Sequence, residues 1–117
     1  MDLYAYADTL YKAYMHVMDG LGFGFHGKCK PVTVFDMKKN FDGPIIANVG
    51  LTKDMGEGLL RSGAADLVAY GRPYIGNPDL VERFKNNWPL NSTSHEDWWN
   101  PHSKEKGYTD QKPYSEE

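Results

Sequence analysis

The chain has 117 residues, 40% of them hydrophobic and 25% charged, a net charge of −3 and a single cysteine, Cys29. That length supports one small folded domain with a modest core, and the acidic balance excludes a globally basic surface for nucleic acid or anionic lipid, so any anion site must be local. One cysteine excludes an intramolecular disulfide and favours a reducing, cytoplasmic setting, and no stretch approaches the roughly 18 to 20 apolar residues that a membrane span needs.

Leu3, Tyr6, Ala7, Leu10 and Tyr14 recur at i, i+3, i+4 spacing and predict a helix over 3–13. The run Tyr14-Met15-His16-Val17-Met18, stopped by Asp19-Gly20, predicts a buried strand. Its His16 reads as a satisfied core histidine ahead of a ligand contact. Gly20, Gly22, Gly24 and Gly27 make the next stretch a loop that presents Phe23 and Phe25. Thr33 is the N-cap of a helix over 34–41, with Asp36 closing a capping box and Val34, Met37 and Phe41 as the buried stripe. Asp42-Gly43-Pro44 ends that helix.

Ile45 to Val49 is a strand by β-branched content, and Gly50-Leu51-Thr52 is the turn after it. Thr52 caps a helix over 53–62 that carries Asp54 in its positive first turn and faces Met55, Leu59 and Leu60 inward. Gly56 and Gly58 either weaken it or admit close packing, and Ser62-Gly63 stops it. A third strand runs from Leu67 to Tyr70. Asn77 as N-cap, Pro78 as first helical residue and Asp79 at the positive end open a last helix. It buries Leu80, Val81 and Phe84, leaves Glu82, Arg83 and Lys85 in water, and ends at Trp88-Pro89. Residues 91–117 are a polar loop or tail, pinned by Trp98, Trp99 and Tyr108.

The resulting α-β-α-β-α-β-α order implies βαβ units, parallel strands and right-handed crossovers: a small open α/β layer or a slice of a barrel. Gly50 and Gly71-Arg72 fall at the C-terminal ends of two consecutive strands. In (β/α)₈ barrels that is where phosphate is gripped, and glycine lets the backbone approach while arginine adds a bidentate clamp. Either glycine alone reads as an ordinary turn; the pair with Arg72 favours a phosphate site. Asn48 is divided between ligand contact and turn cap. Asp66 reads as a strand-entry residue, His26 as a surface residue, and Trp98-Trp99 as a tail anchor or partner contact. His95 and His102 have no compact zinc spacing, Cys29 has no nucleophile pattern, and Gly22-x-Gly24 is no dinucleotide fingerprint, so neither a metal nor a catalytic residue is assigned.

Five stretches together resemble the old yellow enzyme family of flavin-dependent ene-reductases. They are Tyr14-Met15-His16-Val17-Met18, Gly43-Pro44-Ile45-Ile46-Ala47-Asn48-Val49-Gly50, the long run from Ala65 through Gly71-Arg72-Pro73 to Asn77-Pro78-Asp79-Leu80, Trp88-Pro89-Leu90-Asn91, and Gly107-Tyr108-Thr109-Asp110. The resemblance implies a (β/α)₈ TIM barrel that binds FMN, is reduced by NAD(P)H, and passes hydride to the β-carbon of an enone-type small molecule. It implies backbone contacts to the FMN phosphate from Val49 and Gly50, completed by Gly71 and Arg72. Val49 stands where the family has glycine, and Gln111-Lys112 where it has a tyrosine before the proline.

Only about strands 6–8 are matched, so the chain reads as a C-terminal portion: residues 1–90 as partial FMN-binding barrel and 91–117 as tail. The family's substrate-holding and proton-donating groups have no counterpart here, and the isolated chain is expected to be inactive. Three parallel strands cut from a barrel have raw edges, so self-association or completion by an N-terminal half-barrel is expected, with no nucleic-acid or membrane partner. The alternative is a non-catalytic α/β module that binds a phosphate-bearing ligand or assembles with another half-barrel.

Overall fold

The structure is a computed structural model that describes residues 13–18, 32–93, 105–107 and 109–115. The predicted helix over 3–13 (but for its last residue), the glycine-rich loop, Cys29, His26, His95, His102, Trp98, Trp99 and Tyr108 lie outside the described residues. The chain divides into two compact units, Met1–Ala69 and Tyr70–Glu117.

The first unit is built on a parallel sheet of order β1-β2-β3, with β1 Met15–Met18, β2 Ile45–Asn48 and β3 Leu67–Val68. Its register pairs Met15 with Ile45, Val17 with Ala47, and Ala47 with Val68. Because side chains alternate across a strand, that register gathers Met15, Val17, Ile45, Ala47 and Val68 on one face. Onto this face pack Val34, Met37 and Phe41 from helix α1 (Val34–Asn40) and its end, and Leu59 from helix α2 (Lys53–Arg61). Ile45 is fully buried, and such burial contributes about 2 kcal/mol. The parallel strands thus have the helices that connect them packed on the core side.

Three sequence expectations about this unit change. β1 is not buried throughout: Val17 faces the core, while His16 and Met18 are exposed on the opposite face. In α2, Leu59 turns inward with the buried Gly56, but Met55 and Leu60 are exposed; a glycine on the core side lets the helix settle close without them. β3 ends at Val68 rather than Tyr70, although the Ala69 N–H still donates to the Ala47 carbonyl at 2.8 Å.

The two capping predictions in this unit, Thr33 and Thr52, hold. The Asp36 N–H donates to Thr33 Oγ1 at 3.2 Å, and Asp36 Oδ2 accepts the Thr33 N–H at 3.2 Å, a reciprocal capping box. The Met55 N–H donates to Thr52 Oγ1 at 3.3 Å. Gly43 sits under the Phe41 ring, so close that a side chain there would collide with it.

The second unit holds helices α3 (Arg72–Gly76) and α4 (Leu80–Asn86) with the segments that follow. Arg72 opens a five-residue helix: Pro73 suits a first turn, and the Tyr74 and Ile75 N–H groups donate to the Gly71 carbonyl. Asn77 is not an N-cap. Its side chain is buried, donating to the Pro73 carbonyl at 2.9 Å and accepting the Asn91 N–H at 2.7 Å, and α4 begins only at Leu80. Leu80 is buried as expected, but Val81 is exposed. Tyr70 meets Phe84 edge-on at 5.1 Å, and Trp88 stacks on Tyr114 at 4.4 Å.

Candidate functional site

Just past the C-terminal end of β2, Asn48 leads into two residues with positive φ, Val49 at 84° and Gly50 at 67°. Glycine takes this region freely. A β-branched valine does not, at a cost on the order of 1–2 kcal/mol. The turn is held by Asn48: its Oδ1 accepts the Val49 N–H at 2.6 Å, and its Nδ2 lies 3.1 Å from His16 Nε2. His16 is therefore an exposed partner of Asn48 and not the core histidine that the sequence suggested. Gly50 is exposed, and a side chain built there would meet no protein atom within 4 Å. The Thr52-capped helix α2 follows directly.

In the second unit, Gly71 precedes α3 with φ −96° and ψ −79°, a conformation open to other residues, so its glycine is not demanded by backbone geometry. It too is exposed with open space before it, and exposed Arg72 is the first residue of the helix. Val49 and Gly50 thus belong to one compact unit and Gly71 and Arg72 to the other. Each turn has the exposure and open space that a phosphate oxygen needs, and the donor chemistry of backbone N–H groups and a guanidinium suits an anion. The Val49 N–H, already donated to Asn48, is the exception.

Sequence reasoning missed a buried, multiply bonded side chain of the second unit. Arg83, assigned to water, is only 2% exposed. Its Nε donates to Asp79 Oδ1 at 2.7 Å, one terminal nitrogen donates to the Pro89 carbonyl at 2.7 Å and to Asn91 Oδ1 at 3.2 Å, and the other donates to the Lys112 carbonyl at 3.2 Å. The guanidinium also lies over the Tyr114 ring at 5.8 Å. Asp79 does not cap α4 with its side chain, because its second oxygen accepts the Tyr114 N–H at 2.8 Å. Desolvation works against the Asp79 carboxylate, but the Tyr114 N–H and Arg83 outweigh it and hold its pKa below the usual value. The readable signal was the Asp79–Arg83 spacing of four on one helix face. Lys112 enters through its main-chain carbonyl, so the departure from the family's tyrosine at that region leaves this lock intact.

Asp66, read as a strand-entry residue, accepts the Ile45 N–H and the Lys38 ammonium through one oxygen, each at 2.9 Å. The Ile45 N–H first and Lys38 second hold its pKa low. Among the described residues no group of histidine, cysteine and carboxylate side chains could hold a metal ion, and no helix is long and apolar enough to cross a membrane.

No family model matches the chain. Among curated proteins it is 42% identical over 80 residues to putative 12-oxophytodienoate reductase 3 of Oryza sativa subsp. japonica, covering 68% of this chain and 20% of that protein. Among solved structures, the old yellow enzyme from Trypanosoma cruzi superposes with a TM-score of 0.79 at 29% identity, covering 97% of this chain and 30% of that one. The old yellow enzyme homologue from Zymomonas mobilis gives 0.78 at 32% identity, covering 95% and 31%. The chain is similar in sequence and fold to one portion of old yellow enzyme family proteins. Its three parallel strands and their helices are part of the (β/α)₈ barrel of that family. The chain spans about a fifth of the length of the curated relative and under a third of either solved neighbour.

Proposed function

We propose that this chain is the portion around strands 6–8 of an FMN-dependent NAD(P)H oxidoreductase of the ene-reductase type, and that it carries the anchor for the FMN phosphate. The observation that carries this reading is the left-handed turn at Val49-Gly50, with Gly50 exposed, at the C-terminal end of a parallel strand and directly before a capped helix. Gly50 offers its backbone to a phosphate oxygen, and Gly71 lets a second backbone segment approach. Arg72 supplies positive charge and a fork of N–H donors. Val49 contributes the conformation of the turn more than its own N–H, which Asn48 occupies. Bound FMN would supply hydride transfer from NAD(P)H to the β-carbon of an activated alkene such as an enone.

The work of this chain is to fix the cofactor's charged end; the groups that hold the substrate carbonyl and donate the proton belong to other strands of the barrel. The chain alone is accordingly inactive, and it meets an N-terminal half-barrel or a second copy of itself in a cytoplasmic setting. The open space before Gly50 and Gly71 also fits a second reading, a non-catalytic α/β module that binds a phosphate-bearing ligand or assembles with another half-barrel.

Both readings meet in one experiment. The purified 117-residue chain is mixed with FMN, desalted and scanned for flavin absorbance, then given NADPH and an enone. Retained flavin without enone turnover is expected. Arg72→Ala should weaken FMN retention about tenfold, the scale of a lost charge-assisted contact. Absence of any flavin binding would overturn the anchor, and enone turnover would overturn the assignment of the catalytic groups elsewhere.

A further inference from the structure

We propose that Asn48 and His16 are positioning residues that hold the β2 turn in its left-handed, ligand-ready shape, an inference that rests on that turn being the phosphate anchor. The turn needs holding because Val49, at φ 84°, is a β-branched residue in a region that such residues avoid. Left alone, Val49 would relax toward extended backbone and carry the neighbouring Gly50 with it.

Asn48 opposes that relaxation. Its Oδ1 accepts the Val49 N–H at 2.6 Å, a bond that is made only while the peptide after Asn48 keeps this orientation. A carboxamide has one oxygen end and one NH₂ end, and with Oδ1 on the turn the NH₂ end must face His16. A donor facing Nε2 requires that nitrogen to accept, so the His16 proton resides on Nδ1 and Nε2 presents its lone pair at 3.1 Å. His16 thereby fixes the amide against a flip that would turn its NH₂ group toward the Val49 N–H. The register supports the pairing: Met18 lies beside Asn48 and His16 beside Ile46, so His16 and Asn48 stand on the same sheet face, two positions apart along adjacent parallel strands. The strand β1 is thus tied to the candidate phosphate turn through two side chains.

The test is a double-mutant cycle in the 117-residue chain, read by hydrogen exchange at the Val49 amide and by FMN affinity. Asn48→Ala should lower Val49 protection about fivefold, the scale of one neutral hydrogen bond, and weaken FMN binding. Val49→Gly should tighten FMN binding about tenfold, because glycine adopts this φ without strain. In the Val49→Gly background, Asn48→Ala should cost little, since nothing then needs holding; a merely structural asparagine would cost the same in both backgrounds. Asn48→Asp, which keeps an acceptor for the Val49 N–H, should retain the protection even if Asn48→Ala folds poorly. His16→Phe should lose part of the protection by freeing the amide. Unchanged Val49 exchange in Asn48→Ala, or equal losses in the two backgrounds, overturns the proposal. Altered exchange with no FMN binding by any variant, wild type included, overturns the phosphate reading and keeps the positioning role.

Discussion

Each compact unit has an aspartate that does the same two things in different surroundings. In the first, Asp66 accepts the Ile45 N–H and the Lys38 ammonium; in the second, Asp79 accepts the Tyr114 N–H and the Arg83 guanidinium. Both carboxylates stitch a sequence-distant backbone group to a cation. The cations differ. The Lys38 and Asp66 side chains are 33% and 46% exposed, whereas Arg83 is 2% exposed and spends its remaining donors on Pro89, Asn91 and Lys112. A hydrated ammonium can leave its partner for water at little cost. A buried guanidinium cannot, because every donor it abandons, and every carbonyl it leaves behind, loses a partner in a low-dielectric setting. The first aspartate fastens an edge; the second is one end of a lock that gathers α4, the segment after it and the tail.

Removing Arg83 should therefore produce the largest effect. Arg83→Ala removes the cation from Asp79, which keeps only the Tyr114 N–H, and takes the guanidinium donor from the Pro89 carbonyl, so it should lower the denaturation midpoint more than any other substitution proposed here. Arg83→Lys restores the charge but not the planar fork, and should recover less than half of the loss. Chemical denaturation followed by Trp fluorescence checks both, since Trp88 stacks on Tyr114 beside the lock. An Arg83→Lys variant as stable as wild type would show that the charge alone matters and would erase the contrast with Lys38.

The same lock marks the limit of what the sequence discloses. The Thr33-Asp36 capping box, the Thr52 cap and the β2 strand were legible because each rests on residues a few positions apart whose local chemistry decides the outcome. The Gly50 turn was legible for the same reason. Arg83 was not. It sits between Glu82 and Lys85 in a pattern that reads as a solvated helix face, and what makes it interior is the segment at Pro89 and Asn91 together with the tail 29 residues on. Asn77 failed similarly: its type and its place before Pro78-Asp79 satisfy the rules for an N-cap, but Asn91 claims its oxygen. Val49 was legible as a departure from the family's glycine, whereas its consequence, a left-handed valine steadied by Asn48 and His16, needed the register of β1 on β2. Long-range closure, not local propensity, separates the two sets.

Acid should strike both aspartates, and the sign follows from the direction of their shifts. Each folded-state pKa lies below the ordinary 3.8, so each carboxylate adds stability that is fully present above that value and is lost as pH falls through it. Melting temperature should be flat down to about pH 5 and fall steeply below about pH 4. In an Asp66→Asn variant the acid limb should become shallower, with Asp79 remaining as a contributor. An unchanged acid limb would mean that Asp66 does not contribute to folding through its charge.

The smallest effect should come from Lys38→Ala, and its smallness is what the contrast requires. The Lys38–Asp66 pair is partly exposed, and exposed pairs are worth about 0–1 kcal/mol once side-chain ordering and salt screening are counted. Loss of Lys38 also leaves the larger influence on Asp66 in place, because the Ile45 N–H still donates to the same oxygen. Asp66→Ala removes that acceptor as well, and strands the N–H of a fully buried residue at the start of β2, so it should cost clearly more than Lys38→Ala. Salt separates the contributions further: at 1 M salt the Debye length shrinks to about 3 Å, so Lys38→Ala and wild type should converge while Asp66→Ala stays apart. Equal losses for Lys38→Ala and Asp66→Ala would show that the ammonium, and not the backbone acceptor, carries the fastening. The two aspartates would then be the same device at two depths of burial.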